Sequence, residues 1–268
     1  MDLTSEAAAG HRRAPPRTIT RLLAAGAMDA DLAGLVWLLA EGGVPLVVAG
    51  EPLAAAATAE GVMGMVTPTR GMDAGRPGLM PIDELARMEH GPDLARGRLL
   101  AAIITAGSLD ELYRVLAAPP AALGEDEIRR LGVVLVQRAV EPGDRLRVVA
   151  AHYLRPVERD GHGHLQRRPP AVLATWDPRS DTFEHFAWGV TPELAIRVGR
   201  TQADLERLQA RRSAFLHGLM HAGVTEPAEL RLAMDRYRLE EQLERTAATN
   251  GMRHPAHDHQ HGGQEPHA

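Results

Sequence analysis

Residues 44–58 read Val-Pro-Leu-Val-Val-Ala-Gly-Glu-Pro-Leu-Ala-Ala-Ala-Ala-Thr. An apolar, β-branched run closes on Gly50-Glu51-Pro52, and a strong helix former follows. The segment therefore predicts a buried strand, a turn and a helix N-terminus. Phosphate-binding loops are built on this layout, because a helix N-terminus offers unpaired amides and a favourable dipole. A working loop reads G-x-x-x-x-G-K-[ST]. Counted from Gly50, the second glycine falls on Ala55, the lysine on Ala56 and the hydroxyl on Ala57. The frame is present and its chemistry is missing. Gly50, Glu51, Pro52 and Thr58 remain the candidate residues for a vestigial, weak nucleotide contact, with Thr58 one place past the usual hydroxyl.

Composition narrows the classes further. A chain of 268 residues with 44% hydrophobic and 24% charged residues is globular and long enough for one large domain or two small ones. Aromatics make up only 3%, so the core must be built from Ala, Leu and Val. A formal net charge of -5 gives no reason to expect nucleic-acid binding. There is no cysteine, which excludes a disulfide framework, a thiolate metal site and a cysteine nucleophile. There is also no lysine; all 30 basic residues are arginine. No lysine of this chain can contact a β/γ-phosphate, form a Schiff base or act as a base. The longest apolar stretch, around residues 32–40, falls far short of the roughly 20 residues that span a bilayer. A cytoplasmic chain is expected.

Taken in order, residues 1–16 read as a disordered leader without a signal-peptide core. Thr18 or Thr20 caps a short helix, and Asp29 opens a second with Leu32, Leu35, Val36 and Leu39 on one face. Residues 60–81 are rich in glycine and proline and read as loop, followed by a short helix over 81–90. The run 99–104 is a second core strand or the end of a helix. Ser108-Leu109-Asp110-Glu111 is a capping box. Residues 133–136 and 147–154 are strands joined by a turn at Pro142-Gly143-Asp144, and a hairpin is expected around Asp177-Pro178. Beyond residue 190 the chain turns helical, with Thr191, Thr201 and Thr225 as helix openers and a third helix to about Leu243. Arg211 and Arg212 are expected on a solvated helix face. Residues 247–268 read as a disordered, His-rich tail. His257, His259 and His261 there, and His162 with His164 near Asp160, read as adventitious or turn chemistry rather than metal sites.

The order of these motifs resembles the type II/IV secretion ATPase family, in its archaeal and tight-adherence-pilus branch. Residues 19–50 are similar to the lead-in to that family's Walker A loop. Residues 105–120, TAGSLDELYRVLAAPP, resemble its His-box strand and helix, usually H-A-D-S with an acidic helix and a proline pair. Residues 131–138 and 147–157 resemble the two following strands, 176–186 a late hairpin, and 191–238 the C-terminal helices. The likeness covers about residues 17–240.

The resemblance implies a truncated RecA-like P-loop NTPase core over residues 17–190, an α/β fold with a mostly parallel sheet and flanking helices. It also implies a C-terminal helical subdomain over 191–246. ATP and Mg²⁺ are the family's ligands. Here the loop lacks its lysine and hydroxyl, Thr105 stands at the His-box histidine, Gly107 at its aspartate, and no Walker B strand ends in an acid-Glu pair. Asp83-Glu84 is the nearby acidic pair, on an expected helix. The expectation is a non-catalytic protein with no catalytic residue, metal or cofactor. It would serve a structural or regulatory role in a secretion or pilus system. Its partners would be an active secretion ATPase or a pilus or secretion platform, holding it at the inner membrane without insertion. Two other readings stand beside it: a weak ATP-binding ATPase subunit completed by a partner, and an interaction module using the C-terminal helices.

Overall fold

The structure, a computed structural model, describes residues 18–66, 80–81, 101–141 and 143–251. The expected leader, the helix expected over 81–90 with Asp83 and Glu84, and the tail beyond residue 251 lie outside the described residues. The chain divides into two compact units, one ending at Pro227 and the other beginning at Ala228.

Local chemistry sets the first elements. Thr18 caps α1 (Ile19–Ala24), its hydroxyl accepting the Arg21 amide at 3.4 Å. Asp29 caps α2 (Ala30–Glu41), its carboxylate accepting the Leu32 amide at 2.9 Å. β1 (Leu46–Ala49) is buried throughout, as a strand covered on both faces must be. α3 (Pro52–Met63) follows after Gly50 and Glu51. It runs through Gly61, which the sequence places in a loop. That glycine serves close packing instead: a Cβ there would lie 2.5 Å from Leu22 Cδ1 of α1.

The strands β2 (Met80–Pro81) and β3 (Ala101–Ile104) come next, then α4 (Leu109–Ala117) and the single turn α5 (Glu125–Ile128). β4 (Val133–Val140) and β5 (Arg145–Tyr153) form the expected hairpin. The two-residue strands β6 (Glu158–Arg159) and β7 (Leu165–Gln166) pair within the polar segment that follows. β8 (Ala171–Asp177) and β9 (Thr182–His185) form the second expected hairpin. Helices α6 (Thr191–Arg197), α7 (Gln202–His221) and α8 (Pro227–Gly251) complete the described chain.

Among the described residues the main sheet has seven strands in the order β2-β3-β1-β4-β5-β8-β9. The first four are mutually parallel and the rest antiparallel, so the fold is α/β with a mixed sheet. From β1 the chain reaches β2 and β3 on one side and then β4 on the other. β1 is thus the switch point outside whose carboxyl end an α/β sheet holds its ligands. Ala49 lies opposite both Ile104 and Val136, so three parallel strands end level there.

One face of this sheet builds a core of Val47, Ala49, Ile104 and Val136 against Leu112 and Leu116 of α4. α1, α2 and α3 cluster together, with α3 packed on β1 and β3, and α7 runs along α2. Gly34 permits that last contact, since a Cβ there would lie 3.0 Å from the Ser213 amide nitrogen.

Three local expectations are corrected. Thr191 does not cap; it is the first residue of α6, and its hydroxyl donates to the Ala187 carbonyl at 3.0 Å. Arg212 is not solvated. Its side chain is buried, its guanidinium sits 4.2 Å from the Trp37 ring centroid, and it donates to Glu41 at 2.5 Å. The stacked aromatic and the carboxylate together make burial of the charge tolerable. α8 continues past Leu243 to Gly251, so the helix enters the segment read as tail.

Candidate functional site

Where β1, β3 and β4 end, an open cleft of about 350 Å³ forms, lined by Gly50, Glu51, Thr105, Gly107, Glu111, Gln137 and Arg138. Its position follows from the level strand ends. Gly50 donates its amide to the Ile104 carbonyl at 2.9 Å, carrying the β1–β3 pairing one residue further. On the other side a Cβ on Gly50 would lie 3.0 Å from the Gln137 carbonyl oxygen. The glycine is therefore required by the close approach of β4, a packing reason independent of any ligand.

Glu51 is the N-cap of α3. Its carboxylate accepts the Ala54 amide at 3.0 Å, and Pro52 at the first helical position has no amide to offer. The negative charge that such a helix end attracts is supplied by the chain itself. The same device closes α4. Ser108 Oγ accepts the Glu111 amide at 3.1 Å, and Glu111 Oε2 accepts the Gly107 amide at 2.7 Å. The expected capping box is present, with the return bond landing one residue before the cap.

The cation of the cleft is Arg138, the only basic side chain among the residues lining it. Its Nε donates to the Gly107 carbonyl at 2.7 Å, and a second guanidinium nitrogen bonds the same oxygen. Behind it Gln137 is buried, and neither amide atom of its side chain has a hydrogen-bond partner among the described residues. The β4–β5 register shifts between Val136 and Gln137, a bulge that changes the local twist where the cleft begins.

Of the residues singled out from sequence, the structure brings Gly50 and Glu51 to the cleft wall. Pro52 opens α3 beside them. Thr58 does not join them: it is buried in the second turn of α3, and its hydroxyl has no partner among the described residues. These residues do not fit a nucleoside triphosphate. The cleft carries two carboxylates against one guanidinium, and one α3 amide is occupied by Glu51. Thr105 and Gly107 also line the cleft. Gln137 and Arg138 were not anticipated as site residues. Their signal was a polar pair directly after the apolar run 133–136.

A second polar group lies away from the cleft. The ligating atoms of Asp29, Asp31 and His185 lie within 4.8 Å of one another. Each is already engaged: Asp29 Oδ1 by the Leu32 amide, Asp29 Oδ2 by His185 Nε2 at 2.7 Å, and Asp31 Oδ1 by the Ser213 hydroxyl. The bonded Asp29 carboxylate raises the His185 pKa above its ordinary value, against an opposing effect of burial. The group ties β9 and α7 to the start of α2. At the β6–β7 turn, Asp160 accepts the amides of His162 and His164 at 2.9 Å each, the turn chemistry expected there. No protein-family model matches the chain, and no curated protein matches it.

Proposed function

We propose that this chain is a non-catalytic relative of the type II/IV secretion ATPases, with a structural or regulatory role in a secretion or pilus system. The observation that carries the reading is the Glu51 carboxylate on the α3 amide at 3.0 Å, an internal anion at the end of the central strand where a phosphate would sit. The family-like order of motifs and the absence of lysine support it. In this reading residues 17–190 are a truncated RecA-like P-loop core, and 191–246 are a helical subdomain. Gly50, Glu51, Pro52 and Thr58 are the vestige of the nucleotide loop. The protein works in the cytoplasm, docked on an active secretion ATPase or a pilus platform, and reaches the inner membrane only through that partner. No helix among the described residues is long and apolar enough to cross a membrane. The test is to mix the purified chain with an intact secretion ATPase of the same cell. Co-elution with no ATP turnover of its own supports the reading. Turnover in the mixture above that of the partner alone, lost on substituting Gly50 of this chain, would instead make the chain a completed ATPase subunit.

A specific feature favours the interaction-module reading as a second. Leu232, Leu239 and Leu243 of α8 are 55%, 58% and 61% exposed, and their spacing places them along one side of the helix. Exposed apolar stripes of this kind mark protein contacts. If α8 carries the interaction, Leu239→Glu abolishes partner binding and leaves the unfolding temperature unchanged. Equal binding by this variant would remove α8 from the interface.

A further inference from the structure

Outside the cleft, the C-terminal end of α7 carries a pair of histidines. His217 and His221 are four residues apart, on one face of the helix and one turn from each other. Both are exposed, and their Nε2 atoms lie 3.0 Å apart, with ring centroids at 4.2 Å and planes at 70°. The two exposed rings therefore bring their Nε2 atoms together on the solvent side of the helix.

We propose that His217 and His221 chelate a late first-row divalent ion: Zn²⁺, Ni²⁺ or Cu²⁺. The separation is the argument. An imidazole nitrogen sits about 2.0–2.1 Å from Zn²⁺, so two such nitrogens at tetrahedral or right angles around one ion lie about 2.9–3.4 Å apart. The observed 3.0 Å falls in that interval. The donor set fixes the class, because neutral imidazole suits Zn²⁺, Ni²⁺ and Cu²⁺, whereas Mg²⁺ and Ca²⁺ take oxygen. The contrast with Asp29, Asp31 and His185 is direct: those atoms are engaged in holding elements together, whereas His217 and His221 bond only each other among the hydrogen bonds of the described residues.

Without metal the two rings share one N–H···N hydrogen bond. On binding, the donor ring moves its proton to Nδ1 through solvent, so both rings stay neutral and both Nε2 lone pairs face the ion. Two protein donors leave the remaining positions to water. The ion is therefore exchangeable, and open to a further ligand.

An ion that joins two positions of one helix turn binds folded α7 better than the unfolded chain, so it raises the unfolding temperature by mass action. The experiment compares the full chain with His217→Gln and His221→Gln in thermal unfolding with saturating ZnCl₂ or MgCl₂. Histidines elsewhere in the chain are present in all three proteins and cancel. The expected result is a rise of about 5 °C with Zn²⁺ in the native chain, none with Mg²⁺, and its loss in both variants. Imidazole ¹⁵N spectra of the native chain give a second readout, in which Zn²⁺ displaces the Nε2 resonances of His217 and His221. An equal rise in the variants, or unmoved resonances at these two rings, overturns the proposal.

Discussion

The Glu51 carboxylate accepts the Ala54 amide at 3.0 Å, so the helix that follows β1 is capped by its own negative charge. Removing it has two opposite effects. Glu51→Ala loses the cap and destabilises the fold by about 1 kcal/mol in urea unfolding. It also frees the amide, so inorganic phosphate at tens of millimolar stabilises the variant more than the native chain, by about 0.3–1 kcal/mol. An identical phosphate response in both proteins would mean that Glu51 is not what occupies the helix end.

Gln137 is 2% exposed, and neither polar atom of its amide has a partner among the described residues. A buried amide without hydrogen bonds is costly, and methionine fills a similar volume without that cost. Gln137→Met is expected to stabilise the protein by about 1 kcal/mol, read as a raised urea midpoint at constant slope. Destabilisation would show that the amide does have a partner in solution.

Gly34 sits where α2 and α7 touch, with the position of a Cβ only 3.0 Å from a backbone nitrogen, that of Ser213. Backbone cannot move aside as a flexible side chain would. Gly34→Ala therefore costs about 1–3 kcal/mol despite alanine's better helix propensity, and thermal unfolding measures it.

His185 titrates as a stability switch between β9 and α2. Its pKa is raised in the folded chain, chiefly by the bond to Asp29, above an unfolded value of about 6.5. A raised folded pKa means that the folded state holds the proton more tightly. The stabilisation is complete below about pH 6.5 and disappears as pH climbs through the folded pKa. Stability measured from pH 5 to 9 should fall across that window in the native chain, and His185→Gln should flatten the slope.

The central strand, its turn and the following helix were legible because local signals agree there: a β-branched run, Gly-Glu-Pro, then alanines. The caps at Thr18, Asp29, Ser108 and Thr201 were legible for the same reason, since each acts on an amide three residues away. Features made by distant segments were not. Arg212 looks like any surface arginine until α7 packs on α2 and places it on Trp37 and Glu41. Gln137 and Arg138 reach the cleft only because Val136 is in register with Ala49, which no spacing along the chain encodes. Gly61 reads as a loop residue until α1 is seen to lie against it.

We propose that the end of β1 keeps the frame of a nucleotide loop without its chemistry. The most direct measurement is steady-state phosphate release by the purified full chain with ATP and Mg²⁺, alongside Gly50→Val. The account predicts release at the buffer background for both proteins. Turnover by the native chain that Gly50→Val abolishes would contradict it.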